Sequence, residues 1–242
     1  MSVEPPGCVL GFDTSTSVTT VAVVDAKGAQ IAQRNTTPDP DQRPAHASDL
    51  LVAIEQCVEG AGGWDGIGRI GVGVGPGSYT GVRVSVSTGR ALAQASGKEV
   101  VGVSSLAALA LGVTDDPVAA ERPSMPVIDA RRDEAFVAVF DTGRSEIIAP
   151  SCVTPNRFAE VIGRLDPPPL AAGDGALRFA EDLEAAGAEV LNPESPSHSI
   201  SAVNICRLAL EAEPARVEAI EPIYLREPDA RRWLDRDDQR SG

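Results

Sequence analysis

The sequence has few aromatic side chains and no long apolar run. Phe, Trp and Tyr make up 4% of the 242 residues, so a core has to be built from Ala, Val, Leu and Ile. With 43% hydrophobic residues overall, this composition favours layered α/β packing. No apolar run approaches the ~20 residues that cross a bilayer, so we expect no membrane span and no membrane partner.

Basic residues are also scarce. Lys and Arg total 21 against 35 Asp and Glu, which gives a formal net charge of −14 and a pI near 4.5. Independent binding to RNA, DNA or an anionic membrane depends on Lys and Arg that neutralise phosphates. We therefore expect any contact with nucleic acid to be indirect.

The few cysteines and histidines form no recognisable framework. None of the four cysteines belongs to a C-x-x-C pair, and no basic stretch leads into an apolar segment at the N-terminus, which favours a reducing cytoplasm. His46 and His198 match no spacing of metal ligands. Because His46 stands just ahead of a predicted helix, we expect a surface or capping role for it.

Strand and helix patterns alternate along the first half. CVLGFDTSTSVTTVAVVD predicts two strands joined by a polar turn, and GAQIAQRN adds a third strand to form a β-meander. A helix follows, with Ser48 or Asp49 near its N-cap. Its apolar residues at helical spacing are Leu50, Leu51, Ile54 and Val58. The first half of the chain is completed by a buried strand, a helix ended by Gly97, a strand over 99–103 and an Ala/Leu-rich helix.

The meander recurs 116 residues further along the chain. The matched residues are Asp13 and Asp129, Asp25 and Asp141, and Ile31 and Ile147. Two halves that each carry an Asp in the first hairpin are the plan of the actin-like and sugar-kinase-like ATPases, the ASKHA fold. The sequence thus predicts an α/β protein with two duplicated lobes of βββαβαβα type, over 8–112 and 113–226. We expect the ends, 1–7 and 227–242, to be disordered or flexible.

An ordered set of motifs covers roughly residues 8 to 226. They are FDTSTSVTTVAVVD, AHASDLL, GVGPGSYTGVRVSVSTGRALAQASGKEVVGVSSLAALA, IDARRDEAFVAVF and PIYLR. In this order and spacing they resemble the TsaB (YeaZ) family, the dimerisation subunits of the bacterial machinery that places threonylcarbamoyl on the tRNA adenosine beside the anticodon. The resemblance implies pairing with the catalytic paralogue TsaD and docking of the ATPase TsaE. It also implies that tRNA is contacted only through the complex, and that the isolated chain can pair with itself.

The resemblance indicates an accessory subunit and not an enzyme. TsaD holds its metal with an H-x-x-x-H pair, and the matching positions here are Ser105 and Leu109. A hydroxyl is a poor ligand for a transition metal and leucine is none, so we expect no metal and no catalytic residue in this chain. ATP and metal would belong to partner subunits. The same absence weighs against a metallopeptidase, which is one alternative function.

Two interpretations of the first hairpin remain open. Asp13, Thr14 and Ser15 can be a vestigial phosphate-binding site, or a polar turn that satisfies its own backbone. In the second hairpin, Arg131 and Arg132 stand where active ASKHA members tend to carry glycine. Those side chains weigh against a self-sufficient ATP-dependent kinase, the main alternative function. The G-D-G at 173–175 is either a remnant of an adenosine-binding turn or an ordinary tight turn.

The glycine-rich stretch GPGSYTG lacks the lysine of a P-loop, so it predicts a turn capped by Ser78 or Thr80. Small residues on the following helix would let another helix approach closely, which favours a partner interface. The predicted interface residues are Leu50, Ile54, Gly81, Ser85, Gly89 and Ala93. The alternative is tight packing on the chain's own sheet, which we expect to use Val82, Val86 and Leu92.

Overall fold

The computed structural model describes residues 7–38, 45–116, 121–163 and 165–226. The segments 1–6 and 227–242 lie outside the described residues, so the predicted disorder of both ends stays a prediction. Among the described residues, no helix is both long and apolar enough to cross a bilayer.

The first sheet is a meander extended by two parallel strands. Its strands are β1 (Cys8–Asp13), β2 (Thr19–Val24), β3 (Gln30–Thr36), β4 (Ile67–Gly73) and β5 (Glu99–Val103). The spatial order is β3-β2-β1-β4-β5, with β1 antiparallel to β2 and parallel to β4. Strands β1, β2 and β4 are almost wholly buried because helices cover both faces of the sheet, whereas β3 is an exposed edge.

The second sheet repeats this topology. Its strands are β6 (Ser124–Arg131), β7 (Glu134–Phe140), β8 (Glu146–Val153), β9 (Leu170–Ala172) and β10 (Glu189–Val190), in the order β10-β9-β6-β7-β8. The turns that follow the second strand of each meander also match. The carboxylate of Asp25 accepts a hydrogen bond from the backbone N–H of Ala29, and that of Asp141 accepts one from Ser145. The predicted duplication is therefore confirmed.

The helices fill the layers around the sheets. They are α1 (His46–Gly60), α2 (Tyr79–Ser96), α3 (Ser105–Thr114), α4 (Phe158–Ile162), α5 (Asp174–Arg178), α6 (Ala180–Ala185) and α7 (Ala202–Glu211). Ser78 caps α2 as predicted, and Gly97 ends it with a left-handed φ of 67°. Helix α1 starts earlier than predicted, with Ala45 at its N-cap position. The two helices α1 and α2 lie on β2, β3, β4 and β5 of the first sheet.

The predicted lobe boundary at residue 112 needs correction. Helix α7 packs on β1, β2 and β4 of the first sheet, and α3 packs on β6 of the second sheet. The chain after α7 also returns to the first lobe, where Ile220 is buried in the core and the backbone N–H of Ile223 donates to Val74 O at 2.8 Å. Residues from 202 to about 223 thus belong to the first lobe by packing. The physical reason is that α3 and α7 bury their apolar faces in one core shared by both sheets.

Candidate functional site

The first hairpin carries a buried carboxylate at the end of β1. Asp13 has 0% exposure, and both of its oxygens are hydrogen bonded within the chain. Oδ1 accepts from the backbone N–H of Ser15 at 2.7 Å and from its hydroxyl at 2.6 Å. Oδ2 accepts from the hydroxyl of Ser105 at 2.6 Å. Burial raises the pKa of Asp13, while the hydrogen bonds from Ser105 and Ser15 act in the opposite direction.

The turn after Asp13 is pressed against the start of α2. The hydroxyl of Thr14 donates to the backbone carbonyl of Gly81 at 2.7 Å, and the carbonyl of Ser15 accepts from Ser78 N at 2.6 Å. A Cβ at position 81 would lie 1.9 Å from the carbonyl oxygen of Thr14. Gly81 is therefore required by this close approach, and the polar turn is closed by the chain itself.

Asp13, Thr14 and Ser15 are brought together as predicted, but none of them is open to solvent. Their hydrogen-bonding groups are engaged by the chain's own turns and helix starts. The geometry fits a polar turn that satisfies its own backbone, the second of the two interpretations, and cofactor binding by these residues stays a prediction.

Both histidines are buried, which contradicts the surface or capping role expected for His46. The Nδ1 atom of His46 lies 2.8 Å from the hydroxyl of Thr19, which ties the start of α1 to β2. Burial lowers the pKa of His46, although the charge of Asp13 acts in the opposite direction. His198 holds the G-D-G turn, since its Nδ1 accepts from the backbone N–H of Gly173 at 3.2 Å.

The positions matched to a metal pair serve the fold. Besides its bond to Asp13, the hydroxyl of Ser105 accepts from the backbone N–H of Gly75 at 3.1 Å. Leu109 is buried in the core between the sheets. Within the described ranges, no group of three His, Cys, Asp or Glu side chains is placed to hold a metal ion.

The second hairpin is a strained turn held by ion pairs. Arg178 donates to both carboxylate oxygens of Asp129, at 2.9 and 3.1 Å, and reaches Asp133 at 2.7 Å. Arg131 also pairs with Asp129, at 3.2 Å. Arg131, Arg132 and Asp133 have φ values of 62°, 55° and 55°. A left-handed backbone is unfavourable for the two arginines, and the ion pairs around Asp129 help to hold it.

The G-D-G turn packs directly beneath this hairpin. A carboxylate oxygen of Asp174 accepts from the backbone N–H of Asp129 at 3.0 Å, and burial raises the pKa of Asp174. A Cβ at Gly173 would lie 2.0 Å from the carbonyl oxygen of Val127. The turn is thus a close-packed connection to α5, in agreement with the second of the two interpretations from the sequence.

The predicted partner-interface residues are on the wrong face of their helices. All six are buried within this chain: Leu50, Ile54, Gly81, Ser85, Gly89 and Ala93. A Cβ at Gly89 would lie 2.3 Å from Cγ2 of Val72 in β4. The small residues are needed because α2 approaches its own sheet so closely, which was the alternative interpretation. Val82 and Val86 are buried as that alternative expected, and Leu92 is half-buried.

The outer face of these two helices carries the exposed apolar residues. Leu51 and Val52 of α1 are 55% and 54% exposed, although the sequence pattern counted Leu51 with the buried set. At the start of α2, the ring of Tyr79 stacks on that of Tyr224 with centroids 5.0 Å apart, and the guanidinium of Arg83 lies 4.5 Å from the Tyr79 ring. Sequence reasoning missed this cluster; PIYLR, which contains Tyr224, was the available signal.

Comparison with known proteins agrees with this architecture. The model of the TsaD family, tRNA N6-adenosine threonylcarbamoyltransferase, matches residues 40–191. An uncharacterized protein of Mycobacterium tuberculosis H37Rv is 30% identical over 224 residues, 92% of this chain and 93% of that protein. The tRNA threonylcarbamoyladenosine biosynthesis protein TsaB of Bacillus subtilis is 29% identical over 175 residues, 70% of this chain and 74% of that protein.

Among solved structures, YeaZ from Pseudomonas aeruginosa superposes with a TM-score of 0.71 at 24% identity, over 90% of this chain and 100% of that one. At this identity the likeness shows the fold alone. Two duplicated lobes, each with an acid in its first hairpin, have the architecture of the ASKHA fold. The chain belongs to the TsaD family, as a member of the TsaB (YeaZ) type.

Proposed function

We propose that this chain acts in tRNA threonylcarbamoyladenosine biosynthesis as a noncatalytic subunit that pairs with a TsaD-type catalytic subunit. The observation that carries the proposal is the state of Asp13, whose carboxylate is bonded to Ser15 and Ser105. A catalytic ASKHA protein needs the acid of this hairpin to be open to a nucleotide or metal. Here the acid stabilises the fold instead.

The second hairpin supports the same conclusion. The carboxylate of Asp129 is bonded to Arg178 and Arg131, and the side chain is only 8% exposed. An acid that is paired with two guanidinium groups is poorly placed to coordinate a metal-bound phosphate. We therefore expect the isolated chain to hydrolyse no ATP and to hold no zinc, so that it requires no cofactor of its own.

The outer face of α1 and α2 is the surface that we assign to the partner. Leu51 and Val52 are adjacent and more than half exposed. Together they form a small apolar patch, whereas a single apolar residue on a surface would need no explanation. On the exposed side of the neighbouring α2, Ser87, Ala91 and Ala95 are small, so helices of a partner could approach closely there. In our proposal the TsaD-type subunit contributes those helices.

The remaining parts of the proposal follow from the family. TsaE would dock on the assembled pair, and tRNA would be contacted through the complex, in keeping with the net charge of −14 of this chain. ATP and metal would be bound by partner subunits in the cytoplasm. In isolation the chain would use the same face to pair with a second copy of itself.

The test is reconstitution with the TsaD-type and TsaE-type proteins of the same organism. Threonylcarbamoyladenosine in tRNA is measured by mass spectrometry after incubation with and without this chain. We expect modification only when the chain is present, together with a complex of the chain and the TsaD-type protein in gel filtration. Equal modification in its absence, or failure of the two proteins to associate, would refute the proposal.

A further inference from the structure

The last described residues, 220–226, form a strap that links the two lobes. At one end, Ile220 is buried in the first lobe, and the backbone N–H of Ile223 donates to the carbonyl of Val74 just after β4. At the other end, Nη1 of Arg226 donates to the carbonyl of Ala130 at 3.1 Å and pairs with Glu134 at 2.7 Å. The strap thus joins the loop that leads into α2 to the second hairpin.

The middle of the strap supports the start of α2. Tyr224 stacks on Tyr79, the first residue of α2, and Arg83 covers the Tyr79 ring one turn later. These are the only two tyrosines in the sequence, and both are about two-fifths exposed. The hairpin after β1 holds the backbone at the start of α2 through Ser78 and Gly81, and Tyr224 adds a contact to the side chain of Tyr79.

We propose that the strap positions the start of α2 against the second hairpin, with Arg226 as the positioning residue and Tyr224 as the contact. This inference rests on the proposed function where it concerns the partner, because α2 is one of the two helices assigned to that surface. It also gives the second lobe a role: an intact hairpin β6–β7 is needed to order a partner surface that lies on the first lobe.

The ion pair at the end of the strap has the burial that this role requires. Arg226 and Glu134 are 19% and 22% exposed, so water and salt screen their attraction less than that of a surface pair. Arg226 also donates to a backbone carbonyl, which fixes the strap to the hairpin independently of Glu134. Leu225 packs on the core between the sheets and holds the strap from below.

A second ion pair supplies a matched control. Arg144, in the turn between β7 and β8, pairs with Glu211 at the end of α7 at 3.1 Å. This pair also joins the second sheet to a helix packed on the first lobe, but it touches neither the strap nor α2. Arg144→Ala therefore removes another Arg–Glu bridge between the lobes, a more exposed one at 42% and 56%, without the proposed effect.

The test is hydrogen exchange of the isolated full-length chain, followed by mass spectrometry of peptides that cover 75–84 and 129–135. We expect Arg226→Ala and Arg226→Glu to speed exchange severalfold in both peptides. The double variant Arg226→Glu/Glu134→Arg should restore the part of the protection that the ion pair provides, but not the part that depends on the bond to the Ala130 carbonyl. Tyr224→Ala should affect 75–84 alone, and Arg144→Ala neither. Unchanged exchange over 75–84 in both Arg226→Ala and Tyr224→Ala overturns the inference.

The partner is tested separately, by titration with the TsaD-type protein. We expect Arg226→Ala and Tyr224→Ala to weaken binding about tenfold, because a loosened α2 occupies its binding-competent position for only part of the time, and Arg144→Ala to leave binding unchanged. If Arg226→Ala and Tyr224→Ala both bind the TsaD-type protein as tightly as the wild type does, the strap does not position the partner surface and that role is overturned. Absence of binding by the wild-type chain would instead refute the proposed function, and the exchange measurement would still decide whether the strap orders α2.

Discussion

Ser105, at the start of α3, donates a hydrogen bond to Asp13, at the end of β1, with 2.6 Å between Oγ and Oδ2. The two residues are 92 positions apart, and both are fully buried. The same hydroxyl accepts from the backbone of Gly75, so one serine links the first strand, the loop after β4 and the third helix. The hairpin acid of this chain is therefore part of its scaffold.

The first prediction concerns that serine. Ser105→Ala leaves a carboxylate oxygen of Asp13 and the backbone N–H of Gly75 without their partner in a buried site, so we expect a loss of about 1–3 kcal/mol in the free energy of unfolding. Ser124→Ala is the matched control, because Ser124 is about equally buried but its hydroxyl has no hydrogen-bond partner among the residues that the structure describes. Urea denaturation measures both variants. Equal effects would mean that the link to Asp13 contributes nothing.

The second prediction tests the reassigned partner face. Leu51→Glu places a charge on an exposed position of α1, so the isolated chain should keep its thermal midpoint. Association with the TsaD-type protein should weaken about tenfold or more, because the charge would be buried unpaired in the complex. Leu177→Glu is the control, since Leu177 is exposed on α5 in the second lobe. Identical binding of both variants, measured by calorimetry, would exclude Leu51 from the interface.

The third prediction concerns the close packing of α2. Gly89→Ala gains up to about 1 kcal/mol of helix propensity, but its Cβ would overlap Val72 in β4. We expect a net loss of about 1–3 kcal/mol, because overpacking forces the helix away from its sheet. Ser87→Ala, on the exposed side of the same helix, should change the stability by less than about 0.5 kcal/mol. A Gly89→Ala variant as stable as the wild type would mean that this contact is loose.

The fourth prediction is a pH dependence from His46. Burial lowers its pKa from the ordinary 6.5, so the folded state favours the neutral ring. The stability that depends on the neutral ring is fully present above 6.5 and is lost as the pH falls through that value towards the lower pKa of the folded state. His46→Gln should therefore lose less stability than the wild type between pH 7.5 and 5.5. Denaturant titrations at the two pH values measure the free energy of unfolding of both proteins. Equal losses by the wild type and His46→Gln would contradict the prediction.

The fold was predictable because its signals are local. The alternation of apolar residues in the meanders, the Asp turns and the helix-ending Gly97 each act within a few positions, and the repeat of Asp13 at Asp129 exposed the duplication. The packing of α3 on the second sheet and of α7 on the first sheet was not predictable. An apolar helix face indicates that the face will be buried, but it does not indicate which sheet will cover it.

The site was predicted only in part, for a similar reason. Small residues such as Gly81 and Gly89 indicate a close approach, and the same pattern serves a partner helix or the chain's own sheet. The choice depended on three-dimensional contacts with Thr14 and Val72. The burial of His46 was likewise missed, because its partner Thr19 is 27 residues away in the sequence.

The most direct test of the central claim compares the wild type with Asp13→Asn in the reconstituted modification reaction. Asparagine keeps the shape of the side chain and can still accept from Ser15, but it removes the carboxylate that catalysis would need. The account predicts that the folded variant, at concentrations that saturate the TsaD-type protein, supports wild-type levels of threonylcarbamoyladenosine. Modification at the level seen without the chain, by a variant that folds and binds the TsaD-type protein normally, would contradict it and make Asp13 a catalytic residue.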